Sequence, residues 1–440
     1  MGIQISTIRS ILEKQSSSQP CYPLTPYSYL DRDVWSVDRY GLLTDLQILP
    51  EKLMRGQDDG VWFWWCDAQF LPFRDDHLFA TTSCFMPRRD ATWYPVPNAF
   101  NGRIQLIDVH GPDNIKCQVF SRTSSTVFPK VQPHPLGQLV AYCGTGDVVV
   151  MATDGDPVYS RSRDLTNAVH VYCAVGRNGV SLACLKRGMG VYFLETWSLH
   201  LQILPDKSIR CSQVCPNFIP LRGTSEFVAC KFSPDSQFIA VSGSVGHLFV
   251  VRKPSLEKHC ILWPGVLSEG LSHAESFDFN PRFPHEWLAM GTRDNRLQLF
   301  NIDTQQFGEV AEVKDKVDCL RYSPDGLLLA VALRNFDISV LNAQDLNHFH
   351  FIPMSELCVG EVSRTQPGYA SVLNLSFTQD GSHLASSSCD GHLRIWRVPR
   401  LFSLQELCRN CILSHTAICR IQQLKMVPDK IRNFLLYKYF

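Results

Sequence analysis

The stretch Val317–Leu341, VDCLRYSPDGLLLAVALRNFDISVL, decides the fold. It opens with an alternating run that ends in an aromatic, Tyr322. A tight Ser-Pro-Asp-Gly reversal follows, then a small-residue apolar run, a second turn and a third alternating run. Three other segments stack on it: Val228–Val251 (VACKFSPDSQFIAVSGSVGHLFVV), Glu275–Phe300 (ESFDFNPRFPHEWLAMGTRDNRLQLF) and Val372–Trp396 (VLNLSFTQDGSHLASSSCDGHLRIW). Their first runs end in Phe232, Phe279 and Phe377. The aromatic anchors lie 47, 43 and 55 residues apart. That spacing is close to the roughly 40–45-residue period of a propeller blade with loop insertions. Pro fixes φ and Gly tolerates positive φ, so these turns suit tight reversals between strands.

Working outward, Val131–Val150 and Val171–Leu194 keep the same rhythm. Val61–Ser83 with Gly102–Val109 makes another unit, split by an insertion at Met86–Asn101. The count is seven, which predicts an all-β, seven-bladed propeller over residues 33–400. Asp33–Leu49 is rich in strand formers and is expected to supply the outer strand that completes the ring. Residues 1–32 form an N-terminal extension, with Ile3, Ile5, Ile8, Ile11 and Leu12 on a short helix and a polar linker at Gln15–Pro20.

From Leu401 the period changes. In Ser403–Phe440, Leu404, Leu407, Cys408, Cys411, Ile412 and Ile418 recur at helical spacings. Ser403 and Glu406 form a capping box, and Pro428 suits the first turn of a further helix carrying Ile431, Phe434, Leu435 and Tyr437. Two or three short helices therefore follow the all-β ring.

The repeat pattern resembles the WD-repeat family. Only the last repeat ends its third strand in Trp (Trp396), and the dipeptide is Trp-Arg. Asp390 falls where that family places a structural turn Asp, which implies a hydrogen-bonding role within the blade. The last forty residues, 401–440, resemble a SOCS box. Its first element is Ser/Thr/Pro-Leu-x-x-x-Cys-x-x-x-apolar, and here Ser403, Leu404, Cys408 and Ile412 fill every constrained position. The resemblance implies that Leu404, Leu407, Cys408 and Ile412 bind Elongin B and Elongin C. The second element, the cullin box, reads Leu424-Lys425-Met426-Val427-Pro428 and lacks the family's first Pro. With Ile431 and Phe434 downstream, Leu424, Val427 and Pro428 are the implied cullin contacts, cullin-5 with its RING protein being preferred over cullin-2. The layout is similar to the WD-repeat and SOCS-box-containing family, substrate receptors of cullin–RING ubiquitin ligases. The alternative is a plain WD-repeat scaffold whose C-terminal helices pack on its own ring.

Composition bounds what else the chain does. Lys+Arg and Asp+Glu both number 42, which argues against a nucleic-acid binder working by bulk charge. No long apolar run spans a membrane, and Met-Gly with Ser6 meets only a loose myristoylation pattern without a polybasic second signal, so no stable anchoring is expected. The 17 cysteines show no repeated spacing and, with no secretory signal, read as reduced thiols of a cytoplasmic or nuclear protein. Cys408 and Cys411 form a Cys-x-x-Cys, but neither four zinc ligands nor a redox βαβ context accompanies them. Cys211 and Cys215 read as free thiols in a loop. No metal, P-loop or nucleophile motif is visible, so no cofactor and no catalytic residue are assigned. Trp62, Phe63, Trp64 and Trp65 would put aromatics on both faces of one strand, suiting packing between blades. Long insertions at Met86–Asn101, Lys207–Gly223 and Pro353–Gly368 read as loops, where propellers bind partners. The first holds Arg88, Arg89, Trp93 and Tyr94, residue types enriched at hot spots, as candidates for binding a protein substrate.

Overall fold

The computed structural model describes the strands between residues 41 and 221 with their nearest turn residues. It also describes 227–262 apart from 244–246, 254 and 256; 276–357 apart from 293; and 371–399 apart from 390–391. In the last forty residues it describes Cys408, Ile412, Pro428, Lys430, Ile431 and Leu435. The expected helix within residues 1–32 and the turn residue Asp390 lie outside the described residues.

In chain order the strands begin with β1 (Leu42–Gln47). A first sheet holds β2 (Phe63–Leu71), β3 (Arg74–Pro87), β4 (Trp93–Pro95), β5 (Arg103–Asp108) and β6 (Lys116–Arg122). Next come β7 (Lys130–Pro133), β8 (Leu139–Cys143), β9 (Asp147–Ala152) and β10 (Pro157–Ser162). The third sheet has β11 (Cys173–Gly176), β12 (Val180–Gly188), β13 (Val191–Ile203), β14 (Ile209–Gln213) and β15 (Asn217–Leu221). Three regular meanders follow. They are β16 (Phe227–Phe232), β17 (Phe238–Gly243), β18 (Leu248–Arg252) and β19 (Glu257–Leu262); β20 (Phe277–Phe279), β21 (Trp287–Gly291), β22 (Arg296–Asn301) and β23 (Gln306–Glu312); and β24 (Val317–Tyr322), β25 (Leu328–Leu333), β26 (Ile338–Asn342) and β27 (His348–Ile352). A single helical turn, α1 (Met354–Leu357), precedes β28 (Val372–Phe377), β29 (His383–Ser388) and β30 (His392–Arg397). Among the described residues these strands form seven antiparallel sheets.

The last sheet is completed by the first strand: β1 pairs antiparallel with β30, from Leu42 opposite Trp396 to Gln47 opposite His392. The first strand of each sheet lies innermost. β2 touches both β7 and β28, β7 touches β11, β11 touches β16, β20 touches β24 and β24 touches β28. Apolar clusters fill the spaces between neighbouring sheets rather than one central core. Ala229, Phe238, Ala240 and Val250 pack with Phe277, Phe279, Leu288 and Met290. Cys66, Ala68, Phe70 and Leu78 pack with Ala385, Leu393 and Ile395.

That arrangement explains the residue types. β25, LLAVAL, is buried at every position because another sheet covers each face, so small apolar residues are needed on both. β23 at the rim is largely exposed and reads QFGEVAE. Gly291 has no Cβ because one would stand 2.4 Å from the Cβ of Val317 in the next sheet. Gly326 takes φ +70 in its turn, and a Cβ there would meet the Asn280 side chain at 2.5 Å.

Two expectations are corrected. Lys207–Gly223 is not a loop: β14 and β15 both pair with the long β13, taking its C-terminal and N-terminal halves respectively. Cys211 accordingly sits in β14 opposite Leu201. The insertion Met86–Asn101 is also partly regular, since β3 runs to Pro87 and β4 returns against it, with Met86 opposite Tyr94. A strand longer than its neighbour leaves unpaired N–H and C=O groups, and these short returns satisfy them.

Candidate functional site

The inner strands end at one rim of the ring, and that end is built on one plan. The aromatic anchors Phe232, Phe279, Tyr322 and Phe377 close β16, β20, β24 and β28 and are buried. Each turn after them is tied by side chains. Ser323 Oγ donates to Asp325 Oδ1 at 2.6 Å, and Leu327 N donates to the same oxygen at 3.1 Å. Thr378 Oγ1 and Ser382 N donate to Asp380 Oδ1 at 2.7 and 2.9 Å. Ser233 Oγ donates to Asp235 Oδ1, while His285 Nδ1 stands 2.8 Å from Asp235 Oδ2. These carboxylates are committed to turn backbones and neighbouring side chains.

One residue before each anchor is polar and reaches forward to the next sheet. Lys231 Nζ pairs with Asp278 Oδ1 at 3.0 Å. Asp278 Oδ2 accepts from Tyr322 N at 2.9 Å. Arg321 donates from Nε to Leu375 O at 3.0 Å and from Nη2 to Asn374 Oδ1 at 3.2 Å. Ser376 Oγ accepts from Phe70 N at 2.9 Å, and Gln69 Nε2 donates to Val131 O at 2.7 Å. Two residues before Gln69, Asp67 accepts from Asn374 Nδ2 through Oδ1 and from Val131 N through Oδ2 at 2.8 Å. Buried backbone groups of one inner strand thus find partners on the next, which fixes the register between sheets. Burial, with the Asp278 carboxylate nearby, pushes the Tyr322 phenol far up, so it stays neutral.

Where β2, β24 and β28 meet, a cavity of about 170 Å³ opens at this rim. Each strand contributes the same three positions: the residue before the anchor (Gln69, Arg321, Ser376), the anchor (Phe70, Tyr322, Phe377), and the turn residue two places on (Pro72, Pro324, Gln379). Leu71 completes the described lining, and Arg321 is its single charged side chain. Sequence reasoning missed this site. The signal was present as a polar residue immediately before every aromatic anchor.

None of the sequence-predicted residues is in the described lining of this cavity. Trp93 and Tyr94 belong to β4, opposite Pro87 and Met86. Arg88 and Arg89 lie outside the described residues. In the C-terminal segment Cys408 and Ile412 are helical, one turn apart and exposed, Ile412 at 43%. Pro428 is exposed, Ile431 is helical and 52% exposed, and Leu435 is helical and buried. Leu404, Leu407, Leu424, Val427 and Phe434 lie outside the described residues. Trp62 is likewise outside, while β2 is buried on both faces from Cys66 to Leu71. Among the described residues no group of three or more His, Cys, Asp or Glu could hold a metal ion, and no helix is long and apolar enough to cross a membrane.

Comparisons with known proteins agree with the propeller. Residues 360–397 match the WD domain, G-beta repeat family, and 279–360 match the anaphase-promoting complex subunit 4 WD40 domain. A curated relative, WD repeat and SOCS box-containing protein 1 of Mus musculus, is 32% identical over 115 residues. That alignment covers 26% of this chain and about a quarter of the relative's length. A chain of the solved mitotic checkpoint complex superposes with a TM-score of 0.55 at 13% identity, covering 83% of this chain and 94% of that one. The described strands form an all-β fold of the WD-repeat propeller kind, and residues 279–397 carry the WD-repeat match.

Proposed function

We propose that this chain is the substrate-recognition adaptor of an Elongin B/C–cullin–RING ubiquitin ligase. In this reading the seven sheets are seven blades of one closed ring over residues 33–400. They capture a protein substrate, and residues 401–440 are a SOCS box that ties it to the elongins and a cullin, with cullin-5 preferred over cullin-2. The chain itself is non-catalytic, works in the cytoplasm or nucleus, and accelerates ubiquitin transfer by raising local concentration.

The observation that carries the reading is the Leu404–Cys408–Ile412 stripe. Its two described members stand one helical turn apart on an exposed face. A helix presenting an apolar residue and a thiol to solvent at i and i+4 has the form of a helix-in-groove ligand. The alignment with a protein named for its SOCS box supports the same reading. The buried Leu435 favours the second reading, a scaffold with its tail folded on the ring.

The two separate cleanly. Replacing Leu404 by Ala and Cys408 by a bulky charged residue should abolish elongin co-purification without moving the melting temperature of the purified chain. Truncating a buried Leu costs about 2–5 kcal/mol, and each 1.4 kcal/mol is about tenfold, so affinity should fall by orders of magnitude. Normal elongin recovery by the variant would end the ligase reading. A lowered melting temperature with no elongin in either sample would favour the scaffold. The elongin-bound protein should also recover cullin-5; recovery of cullin-2 alone would show that the missing Pro in Leu424–Pro428 matters.

A further inference from the structure

We infer that the turn between β20 and β21 is a docking point for a protein partner. Arg282 and Phe283 of that turn, with Leu327 of the next sheet's turn, take a short segment that pairs a carboxylate with a large apolar side chain. This rests on the propeller being the substrate-binding part and adds the place and the chemistry.

The repeats themselves single this turn out. Between first and second strands, residues 233–237, 323–327 and 378–382 make turns of five residues, whereas residues 280–286 make one of seven. The shorter turns read Ser-Pro-Asp-Ser-Gln, Ser-Pro-Asp-Gly-Leu and Thr-Gln-Asp-Gly-Ser, and in each the Asp accepts from a backbone N–H of its own turn. The longer turn reads Asn-Pro-Arg-Phe-Pro-His-Glu, with Arg282 and Phe283 exposed between its two prolines. Five residues suffice for the reversal, so the blade itself requires neither the extra length nor an exposed Phe.

The longer turn is braced from within and from both neighbouring sheets. Asn280 Oδ1 accepts from Arg282 N at 2.8 Å and from Phe283 N at 3.4 Å. Phe283 O accepts from Glu286 N at 3.0 Å and from Trp287 N at 3.1 Å. Pro281 and Pro284 fix φ on either side of the exposed pair. His285 Nδ1 stands 2.8 Å from Asp235 Oδ2 in the preceding sheet. Toward the following sheet, a Cβ on Gly326 would stand 2.8 Å from that of Arg282. A turn held in this way loses little further backbone freedom when a partner binds.

The exposed side chains set the chemistry. The Arg282 guanidinium is 5.6 Å from the centre of the Phe283 ring and has no carboxylate partner among the described residues. Glu286, the exposed acid of the turn, lies at its other end, where its carbonyl accepts from Ile302 N at 2.7 Å. A guanidinium beside an aromatic ring keeps N–H donors for a carboxylate. Phe283 is 45% exposed and Leu327 is 40% exposed. The close approach of Gly326 to Arg282 brings them near each other, since each is the next residue in its chain segment. At the position of Leu327 the other five-residue turns carry Gln237 and Ser382, so the blade plan does not demand an exposed Leu there. Exposed Phe and Leu beside an unpaired Arg form a patch of the kind that anchors protein interfaces. The occupant that fits is an extended segment with an acidic residue on Arg282 and a large apolar residue over Phe283 and Leu327.

The test uses the purified full chain and short fluorescein-labelled peptides of alternating Glu and Leu, with Gln–Leu and Lys–Leu counterparts, read by fluorescence anisotropy. The Glu–Leu peptide should bind best. Arg282→Gln should weaken it by about tenfold, as loss of one charge-assisted contact predicts, and should leave the Gln–Leu peptide unchanged. Phe283→Ser should weaken both peptides by about tenfold. Leu327→Gln installs the residue of another turn of the same plan, so it keeps the fold, and it should weaken both peptides in the same direction. No saturable binding of the Glu–Leu peptide, equal or better binding of the Gln–Leu or Lys–Leu peptide, or binding untouched by the Arg282 and Phe283 variants would overturn the inference. So would a change from dimer to monomer in sedimentation of the Phe283 variant, which would make the patch a self-contact. Elongin recovery on the same samples reads residues 401–440 separately, so failed peptide binding with elongin retained sinks the docking point alone.

Discussion

The segments Val317–Leu341 and Val372–Trp396 are 25 residues each and align without a gap, yet they fill the same blade differently. Both use the turn x-x-Asp-Gly, with Gly326 at φ +70 and Gly381 at φ +73. Their second strands diverge. β25 is wholly apolar, whereas β29 ends in Ser386, Ser387 and Ser388, all buried. Those hydroxyls have partners: Ser386 Oγ accepts from Trp396 Nε1 at 2.8 Å, Ser387 Oγ donates to Cys66 O at 3.0 Å, and Ser388 Oγ accepts from Arg394 Nη1 at 3.0 Å. The next-to-last residue of the third strand is Trp396 in one and Leu341 in the other. Conversely, β24 buries Asp318 where β28 has Leu373, and Asp318 is matched by Arg334 at 3.1 Å and Ser371 Oγ at 2.7 Å. One blade plan accepts either apolar or polar filling, provided each buried polar group has its partner.

Substitutions can break this equivalence. Trp396→Ala should be the most damaging, at about 3–5 kcal/mol, because it empties a fully buried site in the cluster shared with Val340, Leu375 and Phe377. Leu341→Ala should cost about 2–5 kcal/mol. Denaturant midpoints measure both; a Trp396 loss no greater than the Leu341 loss would show that the indole is replaceable. Next, Ser386→Val gives β29 the residue that β25 has at the same position, Val331. It should still cost about 1–3 kcal/mol, because Trp396 Nε1 loses its acceptor. A neutral result would mean that hydroxyl and methyl are interchangeable at this position.

The smallest effect concerns pH. Burial raises the Asp318 carboxyl above its ordinary value, against the opposing pull of Ser371 and Arg334. The folded state therefore keeps a proton that the unfolded state releases near pH ~4. That contribution is fully present below the unfolded value and is lost as pH rises through the folded one. Asp318→Asn should flatten this part of the stability–pH curve, and thermal melts across the acid range check it. An unchanged slope in the variant would place the titration elsewhere. Leu373 in the partner repeat predicts no such slope for β28.

The sequence by itself determined the repeating unit. Phe232, Phe279, Tyr322 and Phe377 announced the ends of inner strands, and the Ser-Pro-Asp and Asp-Gly turns announced the reversals, because strand alternation and turn φ are written within some twenty-five neighbouring residues. It also marked Asp33–Leu49 as strand-forming, from which the structure takes Leu42–Gln47 and gives it Trp396 to His392 as partners. Tertiary structure alone decided the rest. β14 and β15 are short and unpatterned, and only the free edge of a long β13 makes strands of them. The cavity at Arg321 draws on β2, β24 and β28, and the bond from Asn374 to Asp67 joins residues 307 apart. No local period encodes such a meeting. It exists because the ring returns on itself and brings the polar residue before each aromatic anchor against the next inner strand.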